Sequence, residues 1–245
     1  IFAGLSLKNK SIIKDPFLTR DHTEKLIEYL KSNSNTDNFL TGFNYCVPSD
    51  VSNAAFLIAA GLILENSKFH FKSILFNETR MGFIDSIIEM GAKVEIRNIV
   101  KKYKEKTCDI FVSYSRDLKG VVLDSKRVIK MIDEIPIFSI IACFSHGKTV
   151  IKGVDELRYK ESDRVKAIYD NLSNMGADIS LKNDEIIING GKKLHNTSIK
   201  HFNDHRILMA FEILFLYLNK KIPEYNPLVR NSFPDFYKHL NKIIL

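Results

Sequence analysis

The sequence predicts an α/β protein assembled from repeated small helix–strand units. Three observations carry that expectation. The tripeptide MGA occurs at 90–92 and again at 175–177, in matching contexts. Three segments begin with Asp and continue as helices that are apolar almost all round. Hydrophobic residues make up 45% of the 245 residues, enough to bury a sizeable core.

Taken in order, IFAGLSLKNKSIIKDP (1–16) opens inside an apolar helix and reads as the tail of a further Asp-led copy. An N-terminal part of a longer protein is therefore expected to be missing. TRDHTEKLIEYLKS (19–32) reads as a helix with Arg20 at its start. SNSNTDNFLTGFNYCVPSD (32–50) is polar and rich in turn residues, so a domain boundary is expected near Val47–Ser49. That divides the chain into 1–47 and 48–245.

DVSNAAFLIAAGLILENSKFHFKSI (50–74) is the first complete Asp-led helix, with a strand after it. TRMGFIDSIIEMGAKVEI (79–96) pairs a basic residue, a helix, Gly91 at the left-handed C′ position and a strand. DEIPIFSIIACFSHGKTVIKGV (133–154) and DRVKAIYDNLSNMGADISL (163–181) repeat the two elements, with Gly176 matching Gly91. DHRILMAFEILFLYLNKKI (204–222) starts a third copy. Asp50, Asp133 and Asp204 sit where N-caps belong, accepting from free helix N–H groups.

The charge pattern turns this scaffold toward function. Net charge is +7, which fits an anionic partner. No Lys/Arg run is interleaved with aromatics, which speaks against nucleic acid. The apolar run at 206–218 is too short to span a bilayer. Cys46, Cys108 and Cys143 are scattered without a metal-binding spacing and read as reduced thiols of a cytoplasmic protein.

Helix N-termini favour anions, yet this chain places Arg20, Arg80, Lys160 with Arg164, and Arg206 there. Repetition of that misfit implies helix starts and basic side chains acting together on phosphate or carboxylate oxygens. Lys160 and Arg164, four apart, are expected on one helical face, with Glu161 beside them either to hold a proton or only to neutralise charge.

The motifs ELRYKESDR (156–164), NDHRILMAF (203–211), IDEIPI (132–137), SFPDF (232–236), TRDHTE (19–24), VPSDVSNAAF (47–56) and NETRMGF (77–83) together resemble the EPSP synthases, 3-phosphoshikimate 1-carboxyvinyltransferases. The combination of KESDR, NDHR and SFPDF is the specific part. The resemblance implies the enolpyruvyl transferase fold: two similar domains of three small α/β units each, with the active site between them. In that plan 1–47 is the terminal remnant of the inserted domain, and 48–245 is most of the other, discontinuous domain.

The implied reaction transfers the enolpyruvyl group of phosphoenolpyruvate to the 5-hydroxyl of shikimate 3-phosphate, with neither metal nor organic cofactor. The implied catalytic residues are Asp133, Lys160 and Glu161. Asp133 is the base for the attacking hydroxyl, Lys160 bridges both substrates, and Glu161 handles the proton at the methylene carbon. Arg164 and Arg206 hold phosphoenolpyruvate, His205 lines the same pocket, Arg20 meets the shikimate phosphate, and Glu156 sits near the shikimate ring. Arg80 is read as structural.

Two departures from the family pattern are Asn231, where some members carry Lys, and Ser49 for the usual Gly. The family's N-terminal Lys-Ser…Arg motif, its Asn-Ala-Gly-Thr loop and its Ser-Ser/Ala-Gln motif are absent from these residues, so the 245 residues alone are expected to be inactive. A monomer is expected for the complete protein. The alternatives are the related UDP-N-acetylglucosamine enolpyruvyl transferase and a non-catalytic module that binds a phosphorylated metabolite.

Overall fold

The computed structural model describes residues 1–5, 7, 11–15, 19–33 and 42–243. After the short helix α1 (Phe2–Leu5) and α2 (His22–Ser32), two units of identical topology follow. The first is α3 (Val51–Ile63), β1 (Lys68–Leu75), α4 (Gly82–Glu89), β2 (Lys93–Lys102) and β3 (Glu105–Ser113). The second, after β4 (Val122–Leu123) and α5 (Ser125–Ile129), is α6 (Ile135–Cys143), β5 (Lys148–Lys152), α7 (Arg164–Asn174), β6 (Asp178–Lys182) and β7 (Glu185–Asn189). Helix α8 (His205–Asn219) then opens a third, and α9 (Phe236–Asn241) ends the described chain.

The internal repeat expected from the MGA motifs is thus a repeat of topology. In the first sheet the order is β1-β3-β2; in the second it is β4-β5-β7-β6, with β5, β7 and β6 matching it strand for strand. All pairs are antiparallel except β4 with β5. The units were expected as helix–strand–helix–strand, but each second strand is half of a hairpin, β2–β3 or β6–β7. Their closing turns contain Tyr103-Lys104 and Asn183-Asp184, without the Gly that usually signals a tight turn.

The repeated Gly is explained by backbone conformation. Gly91 and Gly176 both lie at φ +87°, just beyond α4 and α7, where a side chain would be strained.

The Asp-led helices form the core. α3, α6 and α8 pack on one another. Nearly every residue of α3 and every residue of α6 is buried. Helices apolar on all faces are stable only when enclosed, as these are by the two sheets and by each other. The peripheral helices α4 and α7 carry apolar residues on one side and lie against β2 and β6.

The expected caps hold at two of three positions. Asp50 accepts from Ser52 N and Asn53 N, and Asp204 from Arg206 N and Ile207 N. Asp133 is the exception. It lies inside the 3₁₀ turn Ile132–Glu134, one residue before the cap of α6, and that cap position, Glu134, makes no side-chain capping bond. Pro136 in the first turn has no N–H to satisfy, which reduces the need for a cap.

Helix α2 is tied to the first unit by polar contacts. His22 Nδ1 lies 2.6 Å from Glu105 Oε1, Asn77 donates to Asp21 at 2.7 Å, and Lys104 Nζ bonds Glu28 at 2.9 Å. Asp21, His22 and Glu105 have the geometry of a cation site. Lys25 Nζ already serves as the cation there, 2.9 Å from Asp21 and 3.6 Å from Glu105. Part of the expected boundary segment 32–50 lies outside the described residues. No helix among the described residues is long and apolar enough to cross a membrane.

Candidate active site

The starts of α6, α7 and α8 meet, and the side chains at that junction form one charged cluster. Its centre is Arg164, the first residue of α7, with a side chain that is 0% exposed. A buried guanidinium survives only when its donors are paired. Here Nε donates to Asp204 Oδ2 at 2.8 Å, Nη1 to Asp133 Oδ1 at 3.3 Å, and Nη2 to Glu161 Oε2 at 2.6 Å and Asp204 Oδ1 at 3.3 Å. Three carboxylates from three segments surround one cation.

Asp204 does two jobs at once. It caps α8 through backbone N–H groups, and it accepts from Arg164 and from Ser162 Oγ at 3.0 Å. Burial raises its pKa, but the Arg164 contacts outweigh this and hold it below the usual aspartate value. Its partner role could not be read from the NDHR motif, because a helix cap alone accounts for an Asp there.

Asp133 receives two further arginines. Arg20 Nη2 reaches its Oδ2 at 3.0 Å, and Arg206 Nη2 lies 3.8 Å from the same oxygen. Burial pushes this carboxyl up, while Arg206, Arg20 and Arg164 together hold it down to about 2. Arg206 is mostly buried, and its Nη1 is a buried donor without a protein acceptor. Arg20 and Glu161 are respectively 45% and 50% exposed, so the cluster has a solvent-facing side.

Of the other expected site residues, His205 follows Asp204 at the start of α8, whereas Lys160 and Glu156 bond each other and not the cluster. His205 is buried, and burial followed by Arg206 lowers its pKa, favouring the neutral imidazole. Lys160 does not share a helical face with Arg164, as its spacing had implied. It lies in extended backbone between a 3₁₀ turn (Asp155–Tyr159) and α7, and its Nζ bonds Glu156 at 2.8 Å. Glu156 itself is largely exposed. Arg80 bonds Asp50 and Ser52 at the start of α3, a structural tie. Asn231 ends the 3₁₀ turn Pro227–Asn231 and is exposed.

Sequence reasoning passed over Glu134. It is fully enclosed beside Asp133, with Oε1 unpaired; burial raises its pKa, opposed by Ser52, Arg80 and Arg206. An acid next to a candidate base in IDEIPI was a signal in principle, but one with no direction.

A junction of helix starts that gathers three arginines around acid groups, on paired α–β–α–β–β units, defines a class: the enolpyruvyl transferase fold. The structure of EPSP synthase from Acinetobacter baumannii aligns with a TM-score of 0.82 and 32% identity, over 96% of this chain and 56% of that one. The enolpyruvyl transferase NikO from Streptomyces tendae, at 13% identity and TM-score 0.54, shares the fold alone.

The family model described as EPSP synthase (3-phosphoshikimate 1-carboxyvinyltransferase) matches residues 1–240, and the chain belongs to that family. Proteins named 3-phosphoshikimate 1-carboxyvinyltransferase from Persephonella marina and Thermodesulfovibrio yellowstonii are 39% and 38% identical to it. Those alignments cover 100% and 99% of this chain but 60% and 59% of the relatives. The chain therefore spans about 60% of the length of the curated relatives it matches.

Proposed function

We propose that the protein catalyses enolpyruvyl transfer from phosphoenolpyruvate to the 5-hydroxyl of shikimate 3-phosphate, and that the Asp133 cluster forms one wall of its active site. Family membership supports the reaction. The observation that carries the site is the convergence of Arg20, Arg164 and Arg206 on Asp133. Two multiply charged anions need such a group of cations, and transition-state charge is best stabilised by dipoles and charges already in place.

A carboxylate held near 2 by three arginines is a weak base. Substrate anions change that. As phosphate and carboxylate oxygens draw Arg20 and Arg206 away from Asp133, its affinity for a proton rises. Base strength at the 5-hydroxyl is then switched on by binding. The donors of Arg164 are already engaged, so it meets phosphoenolpyruvate by giving up Glu161, the most exposed of its three acids. Glu161 is then released to carry the proton at the methylene carbon, with Lys160 leaving Glu156 to bridge the substrates. The C2 cation is captured by the 5-oxygen, and the tetrahedral adduct loses phosphate and the methyl proton.

In this reading residues 1–47 belong to a second domain, 48–245 to the first, and the protein acts as a cytoplasmic monomer on small molecules. The test is phosphate release by the protein expressed from the full reading frame that encodes these residues. Release requiring both phosphoenolpyruvate and shikimate 3-phosphate is expected. Turnover with UDP-N-acetylglucosamine instead, or binding of both substrates without turnover, would refute the assignment.

A further inference from the structure

A second basic hollow lies apart from the Asp133 cluster. Six lysines line a cavity of about 580 Å³: Lys25 of α2, Lys101, Lys104 and Lys106 of the β2–β3 hairpin, and Lys126 and Lys130 of α5 and its C-terminal end. Two carboxylates, Asp21 and Glu78, share the lining. Lys25 is engaged by Asp21 and Glu105, and Lys104 by Glu28. Lys101, Lys106, Lys126 and Lys130 make no ion pair among the described residues.

The chain is rich in lysine throughout, so number alone decides nothing. Convergence does. Three segments far apart in sequence place like charges around one open concavity, with Lys101, Lys106, Lys126 and Lys130 all exposed, which raises the positive potential there. The hairpin even keeps Lys104 at φ +66°, where Asn or Gly is the usual choice. Its neighbour Tyr103, at φ +55°, is held by edge contact with Tyr29 of α2. Phe76 and Ile129 add a small apolar wall.

We infer that this hollow binds a compact polyphosphate, either free or as the tail of a nucleotide. Four solvent-facing ammonium groups around one hollow match a ligand carrying several negative charges better than a lone phosphate, and the lining offers an extended nucleic acid no base-stacking stripe. A bound polyanion bridges Lys25 of α2 to Lys126 and Lys130 beside α5. It therefore braces the helix that follows Arg20, whose side chain reaches Asp133. None of the lysines belongs to the proposed active site, so the inference does not rest on the transferase reading.

The test is isothermal titration of the protein expressed from the full reading frame with sodium tripolyphosphate, ATP and sulfate at constant ionic strength. One-site binding of tripolyphosphate or ATP is expected, with sulfate much weaker. Lys126→Gln/Lys130→Gln and Lys101→Gln/Lys106→Gln should each weaken it at least about fivefold, the loss of two charge-assisted contacts. Lys192→Gln/Lys193→Gln, exposed lysines elsewhere, should change it less than about twofold. Tighter binding of ATP assigns the nucleotide; equal binding assigns the free chain. Acetylation footprinting of the unaltered protein should show Lys126 and Lys130 protected by the ligand. No binding, equal losses in the control pair, no protection, or displacement by shikimate 3-phosphate or phosphoenolpyruvate would overturn it.

Discussion

Arg164 and Asp204 are both sealed from solvent and joined by two hydrogen bonds, of 2.8 and 3.3 Å, across the starts of two helices. Each is the other's main compensation for burial. Asp204→Ala is expected to destabilise the fold by about 3–5 kcal/mol, because a guanidinium is left short of acceptors in a dry site. Replacing both residues with apolar ones of similar volume should restore much of the loss. Urea unfolding of both single variants and the double variant measures this, and a double-variant loss equal to the sum of the two single losses would show that the pair is not coupled.

The depressed pKa of Asp133 ties stability to acid pH. Its folded value, about 2, lies below the unfolded one, so the contribution is present above the ordinary aspartate range and is lost as pH falls through about 2. At neutral pH it amounts to about 2 kcal/mol. Asp133→Asn should therefore differ from the parent in unfolding free energy at pH 6 and converge with it toward pH 2. A constant gap across that range would contradict the arginine account.

Glu212 behaves in the opposite sense. Its side chain is buried in α8 against Tyr237 Oη at 3.2 Å, with Oε2 unpaired, and burial raises its pKa to about 7. The folded state holds the proton more tightly than the unfolded state. Stability therefore declines as pH rises from the ordinary glutamate range to about 7, by about 3 kcal/mol in all. Glu212→Gln should flatten that decline and melt higher than the parent at pH 8. Superimposable melting profiles from pH 4.5 to 8 would rule this out.

Close backbone approach makes Gly190 hard to replace. A methyl group at this position would overlap the carbonyl oxygens of Ser145 and Ala142 at the end of α6. Gly190→Ala should cost about 2 kcal/mol or more through forced displacement of backbone. Gly42→Ala, with open space around it, is the control and should be near neutral. Thermal melting of the two decides it.

If Asp133 is the base, its loss must appear in turnover. Asp133→Asn in the full reading frame should lower kcat by about 10²–10⁴-fold, the usual worth of a positioned proton acceptor. Arg206→Lys should instead raise KM for phosphoenolpyruvate, because a point charge replaces a planar fork. Steady-state kinetics with each substrate varied separates the two roles; an unchanged kcat in Asp133→Asn would remove the proposed base.

Much of this was open to reading in the chain. Helical spacing, the repeated Gly at 91 and 176 and the Asp-led starts at 50 and 204 are local signals, because caps and left-handed residues act within a few positions. The hairpins were not legible. Tyr103-Lys104 lacks turn chemistry of its own and is stabilised by Tyr29, a residue distant in sequence. The expected pairing of Lys160 with Arg164 failed for a related reason. Sequence spacing fixes a shared face only if one helix contains both residues, and α7 begins at Arg164.

By itself the amino-acid order determined the repeated α/β plan, the family resemblance and an excess of cations at helix starts. Only the tertiary structure decided which acid each cation meets. Arg164 finds Asp133 and Asp204, 31 and 40 residues away, because packing of α6, α7 and α8 brings their starts together. Local spacing cannot encode that. Charge pairing in a buried site depends on distance and desolvation, and both are set by how the core closes.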